Sequence, residues 1–244
     1  MEKNKNLQRY SVIKDKNPRE IVLLRGRGCF WKKCAFCDYH LDSSGDLLAN
    51  FELNKEALDL VTGEFGVLEI VNSGSIFELD QATMDLIKTI CQNKKIKQLH
   101  CEAHYAYHQQ IAKLKAEFKS SGINLKMKIG IETFDINFRE NVLLKGLGDS
   151  SPQQISNYFE ECCLLVGIKG QSIQSILNDI ECALLHFERV CVNVFRMNTT
   201  ALRPDYELRA KFIAEIYPRY KNNPKIDILL DNTDFGVGEV LASE

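Results

Sequence analysis

The chain has 244 residues, with 31 Lys or Arg, 33 Asp or Glu, and a formal net charge of −2. This slightly acidic balance argues against binding to long nucleic acid, because domains that do so usually carry a basic patch. Residues 1–16 are polar and no apolar run is long enough to span a bilayer, so we expect a cytoplasmic protein without a membrane partner.

Apolar, strand-like runs alternate with amphipathic, helix-like runs along the chain. The predicted strands are Ile21–Leu24, Val67–Val71, Ile96–Cys101, Lys126–Ile131, Cys162–Ile168, Val190–Phe195 and, as a seventh candidate, Ile226–Leu230. The predicted helices are Lys55–Val61, Gln81–Cys91, Ala106–Phe118, Ile136–Leu144, Pro152–Phe159, Ile173–Phe187 and Tyr206–Tyr220. Repeated strand-then-helix units are typical of a parallel sheet with right-handed crossovers.

The pattern therefore predicts an α/β fold, a partial (β/α)6-type TIM-like barrel of parallel strands. We expect a single domain over residues 1–244, with a core at about 20–203 and a short extension at 204–244. In such barrels function collects at the carboxyl ends of the strands. Polar or glycine-containing motifs do follow successive predicted strands: NSGS at 72–75, CEAH at 101–104, GIET at 130–133, GIKG at 167–170 and NVFRMN at 193–198.

Three cysteines, Cys29, Cys34 and Cys37, follow the first predicted strand within RGRGCFWKKCAFC. Thiolates bind zinc or iron–sulfur clusters. A structural zinc site needs four ligands, which His40 could complete, so a zinc site stays open as an alternative. A 4Fe–4S cluster on only three cysteines would instead leave one iron free to bind a cofactor or substrate. The other six cysteines lie among apolar residues and are expected to be buried: Cys91, Cys101, Cys162, Cys163, Cys182 and Cys191.

From about Ile21 to Arg203 the chain resembles the radical S-adenosylmethionine (SAM) superfamily. The superfamily's usual signature is C-x3-C-x-aromatic-C, and here the first gap is one residue longer. The resemblance implies a 4Fe–4S cluster on the three cysteines and SAM on the open iron. It also implies a one-electron reductant such as flavodoxin or ferredoxin, and generation of a 5′-deoxyadenosyl radical that removes a hydrogen atom from the substrate.

The resemblance also places cofactor contacts at matching positions. Phe36 would lie against the adenine, and Ser73, Gly74 and Ser75 would bind the amino group of SAM. The remaining expected contacts, to the methionine, the ribose and the adenine, follow later strands: Glu102, His104, Glu132 with the downstream LLKG of residues 143–146, Gly167, Ile168, Asn193 and Phe195.

The chain length, the cysteine loop and the short tail are similar to the superfamily's lyases that cleave the base queuine to 7-aminomethyl-7-deazaguanine in queuosine salvage. This likeness implies a small-molecule substrate, a 7-deazaguanine base. Asp231 or Asp234 could pair with its guanine-like edge, and Tyr39, Tyr105 and Tyr107 could stack on its ring. Two alternatives stay open: a radical enzyme that modifies a tRNA or peptide, and a non-catalytic zinc or iron–sulfur binding protein.

Overall fold

The computed structural model describes residues 7–230. Its strands are β1 (Tyr10–Ile13), β2 (Arg19–Leu24), β3 (Val67–Asn72), β4 (Gln98–Glu102), β5 (Asn124–Glu132), β6 (Glu161–Val166), β7 (Arg189–Val194) and β8 (Ile226–Leu229). Its α-helices are α1 (Leu47–Asp59), α2 (Gln81–Asn93), α3 (His108–Ser120), α4 (Pro152–Ser156), α5 (Ile173–His186), α6 (Tyr206–Lys211) and α7 (Tyr217–Tyr220). Turns of 3-10 helix lie at Tyr39–Asp42, Ile76–Glu78 and Tyr105–Tyr107, and π-helical turns at Phe138–Val142 and Phe212–Ile216.

The eight strands follow chain order in one sheet. Pairing is parallel from β2 to β5 and again from β6 to β8. The α/β class and the six predicted barrel strands, now β2 to β7, are confirmed, and the seventh candidate is β8. The prediction of parallel strands alone is wrong at β1, which pairs antiparallel with β2. A connection as short as residues 14–18 can join only antiparallel neighbours, because a parallel crossover needs a dozen or more residues.

Several predicted helices differ from the observed ones in their bounds or type. The predicted helix Tyr206–Tyr220 is α6, the π-helical turn Phe212–Ile216 and α7 in succession, and the predicted helix Pro152–Phe159 ends at Ser156. Helix α1 begins eight residues earlier than predicted, at Leu47, where the Asp46 side chain accepts a hydrogen bond from the Ala49 N–H at 3.0 Å. The predicted helix Ile136–Leu144 is instead the π-helical turn Phe138–Val142. Leu144, two residues beyond this turn, has φ 55°, a left-handed conformation that stops a helix from continuing.

The described residues fall into two compact units, which share the continuous strand β5. The first unit comprises residues 7–32 and 39–128 and holds β1 to β4, the start of β5, and α1 to α3. The second comprises residues 33–38 and 129–230 and holds the end of β5, β6 to β8, and α4 to α7. A single domain over residues 1–244 stays a prediction.

Each unit has an apolar core between its strands and its helices. In the first unit the core includes Leu68, Ile70, Ile87, Leu99 and Phe118, and in the second it includes Phe159, Leu164, Ile176, Ile180 and Phe212. Five of the six cysteines outside the loop are buried, as expected, whereas Cys182 is half-buried. No helix within residues 7–230 is long and apolar enough to cross a membrane.

The first unit also buries charged side chains on its strands. Glu69 of β3 pairs with Arg19 of β2 and with Lys128 of β5, and all three are less than one-tenth exposed. Lys128 Nζ lies 3.6 Å from a carboxylate oxygen of Glu102 at the end of β4. Buried charges of this kind are stable only when they are paired, so the series places Glu102 at the end of a fixed line of ion pairs.

Candidate functional site

Cys29 lies in the first unit, where its backbone packs directly against the loop that follows β3. A Cβ atom added to Gly74 would lie 3.0 Å from the Cys29 nitrogen and 3.1 Å from its Cα. These two contacts are tighter than nearly all that real Cβ atoms make, and the added atom would also overlap the Glu78 carboxylate, so the position favours glycine. The structure therefore brings Cys29 and the predicted cofactor segment Ser73–Ser75 together.

Glu78, in the 3-10 turn after that loop, accepts three hydrogen bonds. Its Oε1 accepts from the Phe30 N–H at 2.6 Å and from the Tyr107 hydroxyl at 3.1 Å. Its Oε2 accepts from the Ser75 N–H at 2.6 Å. Sequence reasoning missed Glu78, although Ser75 and Glu78 form the S-x-x-E pattern of a capping box, which could have marked the turn.

The polar side chains of the loop have different partners. Ser73 Oγ donates to the carbonyl of Asp42 at 2.8 Å, and the Asp42 carboxylate is held by Arg9 at 2.5 Å. Within the described part of the chain, the buried Asn72 Oδ1 and Ser75 Oγ have no hydrogen-bond partner. Such atoms are costly unless a ligand or water satisfies them, so they form a polar patch suited to a donor group.

Two of the residues predicted after β4 lie near the cysteine loop within the first unit. The His104 ring stacks on Trp31 at 5.7 Å and meets the edge of Phe30 at 5.3 Å. The Tyr107 ring stacks on Phe77 at 5.1 Å and lies edge-on to Phe30 at 5.4 Å. Burial, followed by Glu78 and Cys29, raises the pKa of Tyr107 to about 12, which keeps its hydroxyl a donor.

The other two predicted tyrosines have separate surroundings. Tyr105 stacks on His108 at 4.7 Å, and Tyr39 begins the 3-10 turn Tyr39–Asp42. Asp231 and Asp234 lie outside the described residues. Stacking or pairing of these side chains with a substrate stays a prediction.

Cys34 and Cys37 lie in the second unit, in a loop held by backbone hydrogen bonds. The Cys37 N–H donates to the Cys34 carbonyl at 3.2 Å, and the Ala35 N–H donates to the Leu143 carbonyl at 2.9 Å. Asn198 Nδ2 donates to the Phe36 carbonyl at 2.7 Å. The segment around the two thiols is thus held by one internal backbone bond, by the Leu143 carbonyl and by the Asn198 side chain. Both thiols are half-buried, as is Cys29, unlike the buried cysteines of the strands.

Glu132, at the end of β5, forms a buried ion pair with Lys145. The Lys145 Nζ lies 2.8 Å from Glu132 Oε1 and 5.4 Å from the centre of the Phe36 ring. Burial alone would lower the pKa of Lys145, but the charges of Glu132, Cys34 and Cys37 raise it above its ordinary value. Lys145 therefore stays protonated and offers a positive charge to Glu132 and to the two sulfurs. Glu132 itself has φ 71°, a conformation that side chains rarely adopt.

An apolar surface surrounds Phe36 in the same unit. Phe36 packs against a buried cluster of Leu143, Leu165, Ile168 and Phe195, which includes two of the predicted adenine-side residues. Gly167 accepts a hydrogen bond from the Asp205 N–H at 2.8 Å. Asn193 of β7 is half-buried and lies 3.6 Å from the Cys191 sulfur. The structure thus gathers Phe36, Ile168 and Phe195, whereas Asn193 is paired with Leu165 of β6 and Leu229 of β8 in the sheet.

Within residues 7–230, no three His, Cys, Asp or Glu side chains converge as the ligands of a single metal ion would. Cysteines that hold an iron–sulfur cluster bind separate irons and do not need such convergence.

Comparison with known proteins decides the family. No protein-family model and no curated protein matches the chain. Among solved structures, the queuine lyase from Clostridium spiroforme, bound to SAM and queuine, has 44% sequence identity and a TM-score of 0.90. The match covers 96% of this chain and 100% of that one. The chain belongs to the queuine lyase family. Membership of the queuine lyases confirms the resemblance to the radical SAM superfamily and the expectation of a SAM-dependent lyase.

Proposed function

We propose that this chain is a queuine lyase, which cleaves queuine to 7-aminomethyl-7-deazaguanine. The observation that carries the proposal is the 44% identity over nearly the whole of both chains to a queuine lyase bound to SAM and queuine. No observation on the described residues favours a tRNA, a peptide or a non-catalytic role as a second candidate.

The three loop cysteines, Cys29, Cys34 and Cys37, would hold a 4Fe–4S cluster. They fit the group chemically, because they are half-buried thiols, whereas most other cysteines of the described chain are buried in the sheet and its core. The protonated Lys145 beside Cys34 and Cys37 favours their thiolate forms. When bound, the cluster with SAM supplies a 5′-deoxyadenosyl radical that abstracts a hydrogen atom from the substrate.

We propose that residues after β3 and β4 bind the amino-acid part of SAM. Asn72 Oδ1 and Ser75 Oγ are buried oxygens without partners, so the ammonium group of SAM could donate to them. Ser73 and Gly74 would shape the same loop, since Ser73 is tied to Asp42 and Gly74 allows the close approach of Cys29.

We propose that Glu102 and His104 lie beside the methionine and ribose of SAM. Neighbouring residues hold both side chains in place. Lys128 pairs with the Glu102 carboxylate, and Trp31 stacks on the His104 ring. His104 Nδ1 accepts from the Ala106 N–H at 3.2 Å, so the ring presents its other nitrogen as a donor when neutral.

The nucleoside part would bind residues of the second unit. A carboxylate can accept several hydrogen bonds. Lys145 pairs with Glu132 Oε1, so the other carboxylate oxygen of Glu132 would accept hydrogen bonds from the ribose hydroxyls. Phe36, Ile168 and Phe195 belong to one apolar cluster that would pack against the adenine, with Gly167 beside it and Asn193 offering a polar edge.

For the substrate, removal of one hydrogen atom near the aminomethyl link of queuine would allow the adjacent carbon–nitrogen bond to break. The aminomethyl base would leave as one product. An acid such as Asp231 or Asp234 would pair with the guanine-like edge, and a site built for that hydrogen bonding would reject bases that lack it. Tyr39, Tyr105 and Tyr107 remain the proposed stacking residues.

The cluster also needs a one-electron reductant such as flavodoxin or ferredoxin. Residues 25–37 carry four basic side chains and no acidic one in a chain whose net charge is −2. Arg27, Lys32 and Lys33 of this stretch are exposed. A basic stretch of chain that carries the cysteines favours an acidic electron carrier, because opposite charges steer association.

The test is turnover by anaerobically reconstituted protein with SAM and a chemical reductant. Queuine should accelerate the release of 5′-deoxyadenosine and yield 7-aminomethyl-7-deazaguanine, both followed by liquid chromatography with mass spectrometry. Guanine should give no acceleration, and the Cys34→Ala variant should give neither product. Protein that carries its cluster and cleaves SAM, yet leaves both queuine and its nucleoside intact, would contradict the proposed substrate.

A further inference from the structure

Glu78 joins three separate stretches of the first unit through one carboxylate. Its donors are the Phe30 N–H at 2.6 Å, the Ser75 N–H at 2.6 Å and the Tyr107 hydroxyl at 3.1 Å. One of these donors is the residue next to Cys29, and another belongs to the loop after β3. Hydrogen bonds to an ionised carboxylate are the stronger kind, so the three bonds form a firm junction.

The junction spans the close contact between Cys29 and Gly74. With no Cβ on Gly74, the Cys29 backbone lies directly on the loop, where an added Cβ would be 3.0 Å from the Cys29 nitrogen. Glu78 bonds to both sides of this contact, to Phe30 on one side and Ser75 on the other. A displaced Glu78 would therefore let Cys29 move relative to the Ser73–Ser75 segment.

Aromatic rings lie beside the junction. Tyr107 stacks on Phe77 at 5.1 Å and meets the edge of Phe30 at 5.4 Å. Glu78 is itself half-buried. Partial burial strengthens hydrogen bonds to a carboxylate relative to bonds in water, so the loss of one bond should loosen the loop that the other two bonds hold.

We infer that Glu78 is a positioning residue that fixes the Cys29 backbone against the Ser73–Ser75 segment, before any cluster is bound. The inference rests on the proposed function for the role of Cys29, and it assigns Glu78 no contact with the substrate. A carboxylate is required because it only accepts, whereas a glutamine would point its NH2 group at one of the donors.

Alkylation of the cluster-free protein measures this role without any turnover. Reduced, anaerobic protein is pulsed with iodoacetamide, and the labelling rate of each cysteine is read by peptide mass spectrometry. In Glu78→Gln we expect Cys29 to react about tenfold faster than in the wild type, since a charge-assisted bond is lost. Cys34 and Cys37 should react at unchanged rates.

Two variants serve as comparisons. Tyr107→Phe removes one of the three bonds and keeps the carboxylate, so Cys29 should react about threefold faster. Glu117→Gln removes an exposed acid of α3 that pairs with Lys88 and should leave every rate unchanged. The reduction potential of the reconstituted cluster is a second measurement: it should rise in Glu78→Gln, which loses a negative charge, and stay constant in Tyr107→Phe.

Equal Cys29 rates in the wild type and Glu78→Gln would overturn the inference. Cys91 is buried, and burial raises its pKa to about 12, so its labelling reports an opened fold. If Cys91 reacts in Glu78→Gln, that variant has opened and the Tyr107→Phe variant decides instead. An unchanged Cys29 rate in Tyr107→Phe would then refute the positioning role of Glu78. Failure of queuine cleavage would refute the proposed substrate and leave these rates interpretable, because they are measured without cluster, SAM or queuine.

Discussion

Asp179 of α5 is a buried acid whose ionisation should destabilise the fold. It is 4% exposed, and its Oδ1 accepts from the Phe134 N–H at 2.7 Å, just beyond the end of β5. Burial raises the pKa of Asp179 to about 6, and Asp135 adds to the rise. Hydrogen bonds from Phe134 and Thr133 and the charge of Arg139 act in the opposite direction.

The size of the effect follows from the shift in proton affinity. A rise from 3.8 to about 6 corresponds to about 3 kcal/mol, at about 1.4 kcal/mol per tenfold change. Because the folded-state pKa is the higher one, this stabilisation is fully present below about pH 4 and is lost as the pH rises through about 6. Between pH 4 and pH 8, the ionisation of Asp179 should therefore lower the wild type's free energy of unfolding by up to about 3 kcal/mol.

Asp179→Asn keeps an oxygen for the Phe134 N–H and cannot ionise. Relative to the wild type, its free energy of unfolding should be similar at pH 4 and higher by about 2 kcal/mol at pH 8. This gain in the free energy of unfolding is smaller than about 3 kcal/mol because the Thr133 hydroxyl must turn to accept a hydrogen bond from the new amide.

Urea unfolding of the cluster-free protein between pH 4 and 8, followed by circular dichroism, gives these free energies. Glu181→Gln, an exposed acid on the same helix, is the control and should not change the pH dependence. An Asp179→Asn variant that is less stable than the wild type at pH 8 would refute the reasoning. It would mean that the donors Phe134 and Thr133 stabilise the ionised form more than burial penalises it.

Two further predictions concern the proposed cluster and cofactor contacts. Anaerobic reconstitution should load about four irons per chain in the wild type and in Cys162→Ala, and almost none in Cys34→Ala, as measured by iron and sulfide analysis; full loading of Cys34→Ala would contradict the ligand assignment. Glu132→Ala should bind SAM about tenfold more weakly by equilibrium dialysis with its iron content unchanged, because a charge-assisted bond to ribose is lost; lost iron with unchanged SAM binding would disprove that role.

Much of the fold was predictable because most of its strands are apolar runs in the sequence. The runs at β2, β6 and β7 are buried almost throughout, as expected for a parallel sheet covered by helices. β1 was not predicted, because its four residues are half-buried and carry no strong apolar pattern. Its pairing with β2 depends on the hairpin geometry, which a short stretch of sequence does not reveal.

Charges within strands were harder to interpret. Glu69 and Lys128 would ordinarily be placed on a solvent-facing side of their strands. They are buried because each finds the other across 59 residues of sequence, and Arg19 adds a second partner to Glu69. The periodicity of a sequence does not show which residues far apart in the chain will pair, so the buried ion pairs of the first unit could be learned only from the fold.

The same reasoning explains which candidate site residues emerged from sequence. Ser75 and Glu132 became candidates because they follow predicted strands at positions that match the radical SAM superfamily, and their cofactor contacts stay predictions. Glu78 was not found, since its role depends on donors 29 and 48 residues away, at Tyr107 and Phe30. Its S-x-x-E spacing to Ser75 accounts for only one of its three hydrogen bonds, the one from the Ser75 N–H.

An acid in this chain is thus best judged by the donors that reach it. Glu78 takes two backbone N–H groups and a hydroxyl, Glu132 takes a buried ammonium, and Asp179 takes a backbone N–H beside β5. The backbone N–H donors, those of Phe30, Ser75 and Phe134, all follow strands, and a fixed backbone there helps radical chemistry to keep its reactive centre away from unintended hydrogens. Replacing Glu78 or Glu132 should therefore disturb the position of neighbouring residues before it disturbs the overall fold, whereas Asp179→Asn keeps the Phe134 bond and acts on the free energy of unfolding.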